Sequence, residues 1–169
     1  MKSRSARILP LFLCAGLVIA LGGEKKGGTR YEYVQVDRFN VAEDVVDFPA
    51  DYQIGIMEDL IKALQRTKNL TGVLREGETL PEGKQVLHLT GTVTKFKKGS
   101  QAARYLVGFG AGATVVVAQV RFYDATTKQL LLERKADGKV WIGVMGGKSA
   151  GATNGLAKEI VKVVKANFL

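Results

Sequence analysis

The chain reads as an α+β domain, a two-layer sandwich in which a mostly antiparallel β-sheet carries two helices packed on one face. Three observations predict this. Apolar residues recur at helical spacing after residue 50 and again at the C-terminal end, and between these stretches their period falls to two. The strongest alternating stretch runs into Asp124-Ala125-Thr126-Thr127-Lys128, a hairpin turn. Two helices with one apolar stripe each need a surface to cover, and the apolar face of the sheet supplies it.

The elements follow in order. Tyr31 to Asp37 alternates and is rich in β-branched and aromatic residues, so it reads as a first strand. Phe48-Pro49-Ala50-Asp51 announces a helix with Asp51 placed as its cap. Ile54, Met57, Leu60, Ile61 and Leu64 form its stripe, Glu58, Asp59, Lys62, Arg66 and Lys68 its remaining surface, and it is expected to stop near Asn69. Val73 to Glu76 is a short strand ending in the turn from Glu78 to Gly83. Val86 to Phe96 sets Leu87, Leu89, Gly91 and Val93 on one face and His88, Thr90, Thr92 and Thr94 on the other. That is the pattern of a strand with one side on a core and one in water. Thr114 to Tyr123 puts Val116, Ala118, Val120 and Phe122 on one face, and Gln129 to Ala136 returns antiparallel. A closing helix is expected from about Asn154, its cap, with Leu156, Ile160, Val163, Val164 and Phe168 inward and Lys158, Lys162 and Lys165 outward.

Ahead of these elements stands a different kind of segment. Lys2, Arg4 and Arg7 precede the apolar run Ile8–Leu21, which ends in the small-residue pattern Ala20-Leu21-Gly22. A basic start, a short apolar run and small residues at the end are the parts of a secretory signal peptide. The run falls short of the roughly twenty residues that a membrane-spanning helix needs. The expected organisation is a signal peptide at 1–22, a Gly/Lys linker at 23–29 and a single domain at 30–169. Cys14 lies inside the run. A lipidation site needs a small residue before its cysteine, and Leu13 stands there, so Cys14 reads as part of the leader, with lipid attachment as the alternative.

Removal of 1–22 leaves 147 residues without a thiol, enough for one core held by apolar burial rather than disulfides. The net charge falls from +9 to +6 as Lys2, Arg4 and Arg7 depart. A basic surface attracts nucleic acid, anionic lipid or acidic polymers. An exported protein rarely meets nucleic acid, which leaves an envelope protein or an anionic envelope component, with membrane association open.

Two Gly-rich stretches interrupt the alternation. Gly99 to Gly112 joins two of the strands, with glycines at 108, 110 and 112 leaving one side of an extended chain bare while Phe109 and Ala111 point the other way. Trp141 to Gly151 precedes the last helix. Neither encodes a phosphate cradle. Ile142 stands where a phosphate loop needs its first glycine, and Ala113 where the dinucleotide fingerprint needs its last.

The string Gly99-Ser100, Arg104-Tyr105-Leu106-Val107-Gly108-Phe109-Gly110-Ala111-Gly112, a Val-rich strand and Asp124 at the hairpin resembles a bacterial envelope family, the domain-of-unknown-function family DUF4410. The resemblance rests on residues 91–133. It implies a secreted or lipid-anchored envelope protein of a family with no known enzymatic activity or cofactor. Leu13 departs from the lipidation pattern of many relatives and puts the anchor in doubt.

Chemistry is sparse. The single histidine, His88, sits on a threonine-rich strand face and reads as an exposed surface residue. The mature chain offers no cysteine for a nucleophile or a zinc site. Glu43, Asp44 and Asp47, with Glu58 and Asp59, are the carboxylate groups open to acid–base work, the first set in an irregular connection and the second on a polar helix face. Arg104, among Ala102-Ala103 and Tyr105-Leu106, either captures a carboxylate or phosphate on a partner or pairs internally, the latter favoured. Trp141 reads as packing. The expected function is a non-enzymatic binding or accessory domain, periplasmic or outer-membrane associated, without metal or cofactor. Its contact surface is assigned to Arg104, Tyr105, Gly108, Phe109, Gly110 and Gly112. The alternative is a membrane-attached accessory subunit of an envelope assembly or transport complex.

Overall fold

In the computed structural model, which describes residues 30–99, 113–139 and 150–169, the alternating segments become six strands of one sheet. These are β1 (Tyr33–Val36), β2 (Asn40–Val41), β3 (Gly72–Arg75), β4 (Val86–Lys97), β5 (Val115–Asp124) and β6 (Leu130–Lys139). Helix α1 (Ala50–Gln65) lies between β2 and β3, and α2 (Ala150–Asn167) closes the chain.

The sheet order is β3-β1-β4-β5-β6, with β2 also on β4. The long pairs β4/β5 and β5/β6 are antiparallel as expected. The short pairs β1/β3, β1/β4 and β2/β4 are parallel, so the sheet is mixed. The cause is α1. A crossover helix between β1 and β3 returns the chain to the end where β1 started, and the two strands then run the same way.

Register divides the sheet into two faces. Val34 and Val36, Leu87, Leu89 and Val93, Val116, Ala118, Val120 and Phe122, and Ala136 share one face and are buried. Both helices close over it. From α1 come Tyr52, Ile56, Leu60, Ile61 and Leu64, and from α2 Leu156, Ile160, Val161, Val164 and Phe168. At two points the packing is as close as backbone to ring or backbone to backbone. A side chain at Gly91 would run into the ring of Phe39, and one at Gly138 into Ala152 O and Leu156 N of α2. Aromatic edges seal both ends, Phe48, Tyr52 and Phe96 at one and Tyr31, Phe122 and Phe168 at the other.

Several expectations shift in detail. Pro49 takes the N-cap of α1 with an extended backbone, and Asp51 stands inside the first turn, where it complements the helix dipole. Ile54, expected inward, is exposed, and Tyr52 and Ile56 take the inward positions. The helix ends at Gln65, earlier than Asn69. Helix α2 begins by Ala150, which puts Asn154 within it rather than at its cap. Phe39 and β2 had no counterpart in the sequence reading.

β1 and β2 are halves of one broken strand. Between Val36 and Asn40 the chain advances four residues while β4, from Leu89 to Thr92, advances three. The extra residue is a bulge, which re-aims the side chains around it. Asp37 turns to the open face and Phe39 into the core, where it is fully buried. The Gln53 amide donates to Phe39 O and ties the break to α1.

Candidate functional site on the open face of the sheet

The second face of the sheet carries no helix among the described residues. Its middle is built from alternate residues of four strands: Tyr33 and Gln35 of β1, His88, Thr90 and Thr92 of β4, Gln119, Arg121 and Tyr123 of β5, and Glu133 and Lys135 of β6. The β1 and β4 members, Gln119 and Tyr123 are half-buried, while Arg121, Glu133 and Lys135 are exposed. Alternation forces this layout. Once Leu87, Leu89 and Val93 are committed to the core, His88, Thr90 and Thr92 must face the other way.

His88 corrects the expectation of a bare surface residue. Its Nε2 lies 2.6 Å from Asp37 Oδ2, and both side chains are only about one-fifth exposed. The Tyr123 ring stands beside it, 6.0 Å away between centroids. Gln35 donates through Nε2 to Arg75 O and Glu78 O, at 3.4 and 3.3 Å, and so is locked in place. Tyr33 lays its ring across Gly72 of β3. The result is a preformed polar surface with a fixed imidazole at its centre. With His88 neutral and donating to Asp37, Nδ1 is left as an acceptor, and protonation makes it a donor.

The other charged groups have structural roles. Arg75 donates to Glu58 with both arms, at 2.6 and 3.0 Å, and this hydrogen bonding holds the Glu58 carboxyl below its ordinary value. Asp59 accepts from Thr153 Oγ1 at 2.6 Å, linking α1 to the first turns of α2. Glu43, Asp44 and Asp47 are exposed in the connection before α1. The second carboxylate set is therefore bound up in packing, and the first is not gathered with it. Asp124 organises the hairpin as expected. Its Oδ1 accepts from the N–H groups of Thr127 and Thr126, at 2.8 and 2.9 Å, and Oδ2 from Tyr31 Oη at 3.1 Å. The Thr127 N–H above all holds the Asp124 carboxyl below its usual value, while burial and then the Asp124 bond push the Tyr31 phenol up to about 12.

An open depression of about 400 Å³ lies at the C-terminal ends of both helices, lined by Arg66, Thr67, Lys68, Asn69, Lys165 and Leu169. Cations at this place offset the helix dipoles, and the depression lies apart from the open face. Among the described residues no group of histidines and carboxylates is arranged to hold a metal.

The predicted contact residues Arg104, Tyr105, Gly108, Phe109, Gly110 and Gly112 lie outside the described residues, as do Trp141, Cys14 and the whole of 1–29. What is described is where the Gly-rich stretches are rooted. Lys97, Val115 and Lys139 stand in one row across β4, β5 and β6, so both stretches leave from the same end of the sheet. The Gly99 N–H donates to Thr114 Oγ1 at 3.0 Å and draws the two roots of the first stretch together. The surface centred on His88 and Asp37 was missed in the sequence. The two residues are 51 apart, and only strand pairing brings them side by side.

The sequence matches the family model described as "Domain of unknown function (DUF4410)" over residues 50–143. No curated protein sequence matches it significantly. Among solved structures it is similar to a PelC dodecamer from Paraburkholderia phytofirmans, with a TM-score of 0.54 at 15% identity, covering 78% of this chain and 87% of that one. It is also similar to the hypothetical protein CT253 from Chlamydia trachomatis, with a TM-score of 0.52 at 10% identity, covering 82% and 98%. These likenesses establish the fold.

Proposed function

The chain belongs to the DUF4410 family, and on that premise we propose that it is an exported protein of the bacterial cell envelope, a non-enzymatic accessory domain that binds an envelope partner through the open face of its sheet. The observation that carries this reading is the open face itself. Much of it is half-buried, His88 and Gln35 are held in place before any partner arrives, and both described helices lie on the other side. Preorganised side chains lose little freedom on binding, which favours a contact surface over a merely solvated one. The leader-like segment 1–22 supports export. The basic balance of the chain suits an acidic partner or an anionic envelope component.

Photo-crosslinking in intact cells tests the binding surface. A crosslinker at Thr92 or Gln119 should yield a discrete partner band that one at Lys158, on the exposed side of α2, does not. Equal yields from the two faces, or none from Thr92 and Gln119, would sink the reading. Alanine at Arg104 and valine at Gly110 test whether the first Gly-rich stretch shares the contact, since variants that fold and still recover every partner exclude it.

A second reading, attachment to the membrane as an accessory subunit, rests on the uncharged run Ile8–Leu21 with Cys14 inside it. No helix among the described residues is long and apolar enough to cross a membrane; on this reading the attachment comes from that run or from lipid on Cys14. The intact mass of the purified protein decides. A free N-terminus near Gly23 removes both anchors.

A further inference from the structure

Two sides of the molecule adjoin that contact, the second through Leu130, which pairs with Tyr123, and through Lys135. The large hydrophobic side chains left exposed among the described residues fall into two pairs along the chain, Val46 and Ile54 around the start of α1, Leu130 and Leu131 at the start of β6. Val46 follows β2 in the connection to α1. Ile54 stands one turn of α1 before Glu58, whose carboxylate reaches Arg75 of the edge strand β3. Leu130 and Leu131 open β6, at the opposite edge of the sheet.

The charges around the two pairs have opposite signs. Glu43, Asp44, Asp47 and Asp51 are exposed near Val46 and Ile54, and Lys128, Arg134 and Lys135 are exposed along β6 and its hairpin. None of these seven enters an ion pair with another described residue. The two acids exposed on β6 are both engaged, Glu133 by Arg121 and Asp137 in an interaction of its own. Like patches brought face to face would oppose like charges, whereas unlike patches join opposite charges and cover apolar side chains on both.

We propose that the chain assembles with copies of itself head to tail, the acidic side bearing Val46 and Ile54 of one copy seated on the basic edge bearing Leu130 and Leu131 of the next. Such a contact is heterologous. Each added copy presents a fresh patch of the opposite kind, and growth continues until a ring closes or a filament forms.

Analytical ultracentrifugation of the full chain, purified in the form the cell processes it to, reads this directly. The mass should rise with protein concentration beyond that of a dimer and fall as salt screens the contact. Val46→Lys with Ile54→Lys disables only the first side, and Leu130→Glu with Leu131→Glu only the second. Each pair should weaken association roughly tenfold or more. Mixed in equal amounts, the two variants should form a one-to-one dimer and nothing larger, because a single intact contact remains between them. A wild-type chain that stays monomeric overturns the proposal. So does either variant assembling as well as wild type, the mark of a like-with-like contact. Asp44→Lys and Arg134→Glu, exposed charge reversals, read the same contact if the apolar variants lose their fold.

Discussion

The two faces of the sheet are made by the same strands and held by different physics. On the covered face Val34, Val36, Leu87, Leu89, Val93 and Phe122 have no exposed surface at all, and each owes its place to apolar burial and close packing. On the open face many side chains are only half-buried, Arg121, Glu133 and Lys135 are exposed, and directed bonds place His88 against Asp37 and Gln35 against two carbonyls. The difference teaches which positions carry the fold and which are free to carry function. A change on the covered face should be read out as stability, and one on the open face as binding.

The sharpest way to break the covered face is Gly138→Val. Its Cβ would collide with the backbone of α2 at Ala152 and Leu156, which no rotamer change relieves. The expected loss exceeds about 4 kcal/mol, enough to prevent folding at ordinary temperature, and thermal denaturation or simple expression yield checks it. Leu89→Ala should follow, costing about 2–5 kcal/mol in urea titration, since its side chain is fully enclosed.

At the rim between the faces, Asp124→Asn should cost about 1 kcal/mol near neutral pH and change how stability responds to acid. The Asp124 carboxyl is held below its ordinary value, so its contribution is present above the usual aspartate range and drains away as pH falls through the lowered value. Tyr31 runs the other way. Raised from 10.0 to about 12, it contributes fully below pH 10 and loses that contribution as pH climbs through about 12. Unfolding followed against pH should show both limbs in wild type, a flatter acid limb in Asp124→Asn and a flatter alkaline limb in Tyr31→Phe.

The smallest effect on stability is expected from the open face. His88→Gln removes a partly exposed pair and should move stability by less than about 1 kcal/mol. It should nonetheless weaken the crosslink formed from Thr92. A loss of stability like that of Leu89→Ala, with crosslinking untouched, would erase the distinction between the faces.

Much of this division was legible in the residues. The stretches Val86–Phe96 and Val116–Phe122 alternate cleanly, and period-two contrast carries face assignment without any knowledge of partners. Strand direction was harder, because four alternating residues look alike in parallel and antiparallel pairs. The strand–helix–strand order around α1 was the available clue. The start of α2 was hidden by Gly151 and Gly155, poor helix formers that tertiary contacts from Asp59 and β6 override. Asp37 beside His88 was beyond reach, since pairing across the sheet leaves no trace in local spacing. The predicted contact residues, from Arg104 to Gly112, form a moderately specific motif, and the sequence offers no partners for them to be reasoned from.

The break between β1 and β2 turns on a single residue. Val36, Asp37, Phe39, Asn40 and Val41 alternate in step with Leu89 to Val93, provided Arg38 is skipped. Arg38 is a spacer, exposed, its N–H taken by Glu76 rather than by β4. Deleting Arg38 should therefore fuse the halves into one continuous strand and keep the acid beside His88. Deleting Asp37 instead would slide Arg38 into that position and set a guanidinium against the imidazole. At this place the length of the chain, more than the identity of any residue, decides the sign of charge that the open face presents.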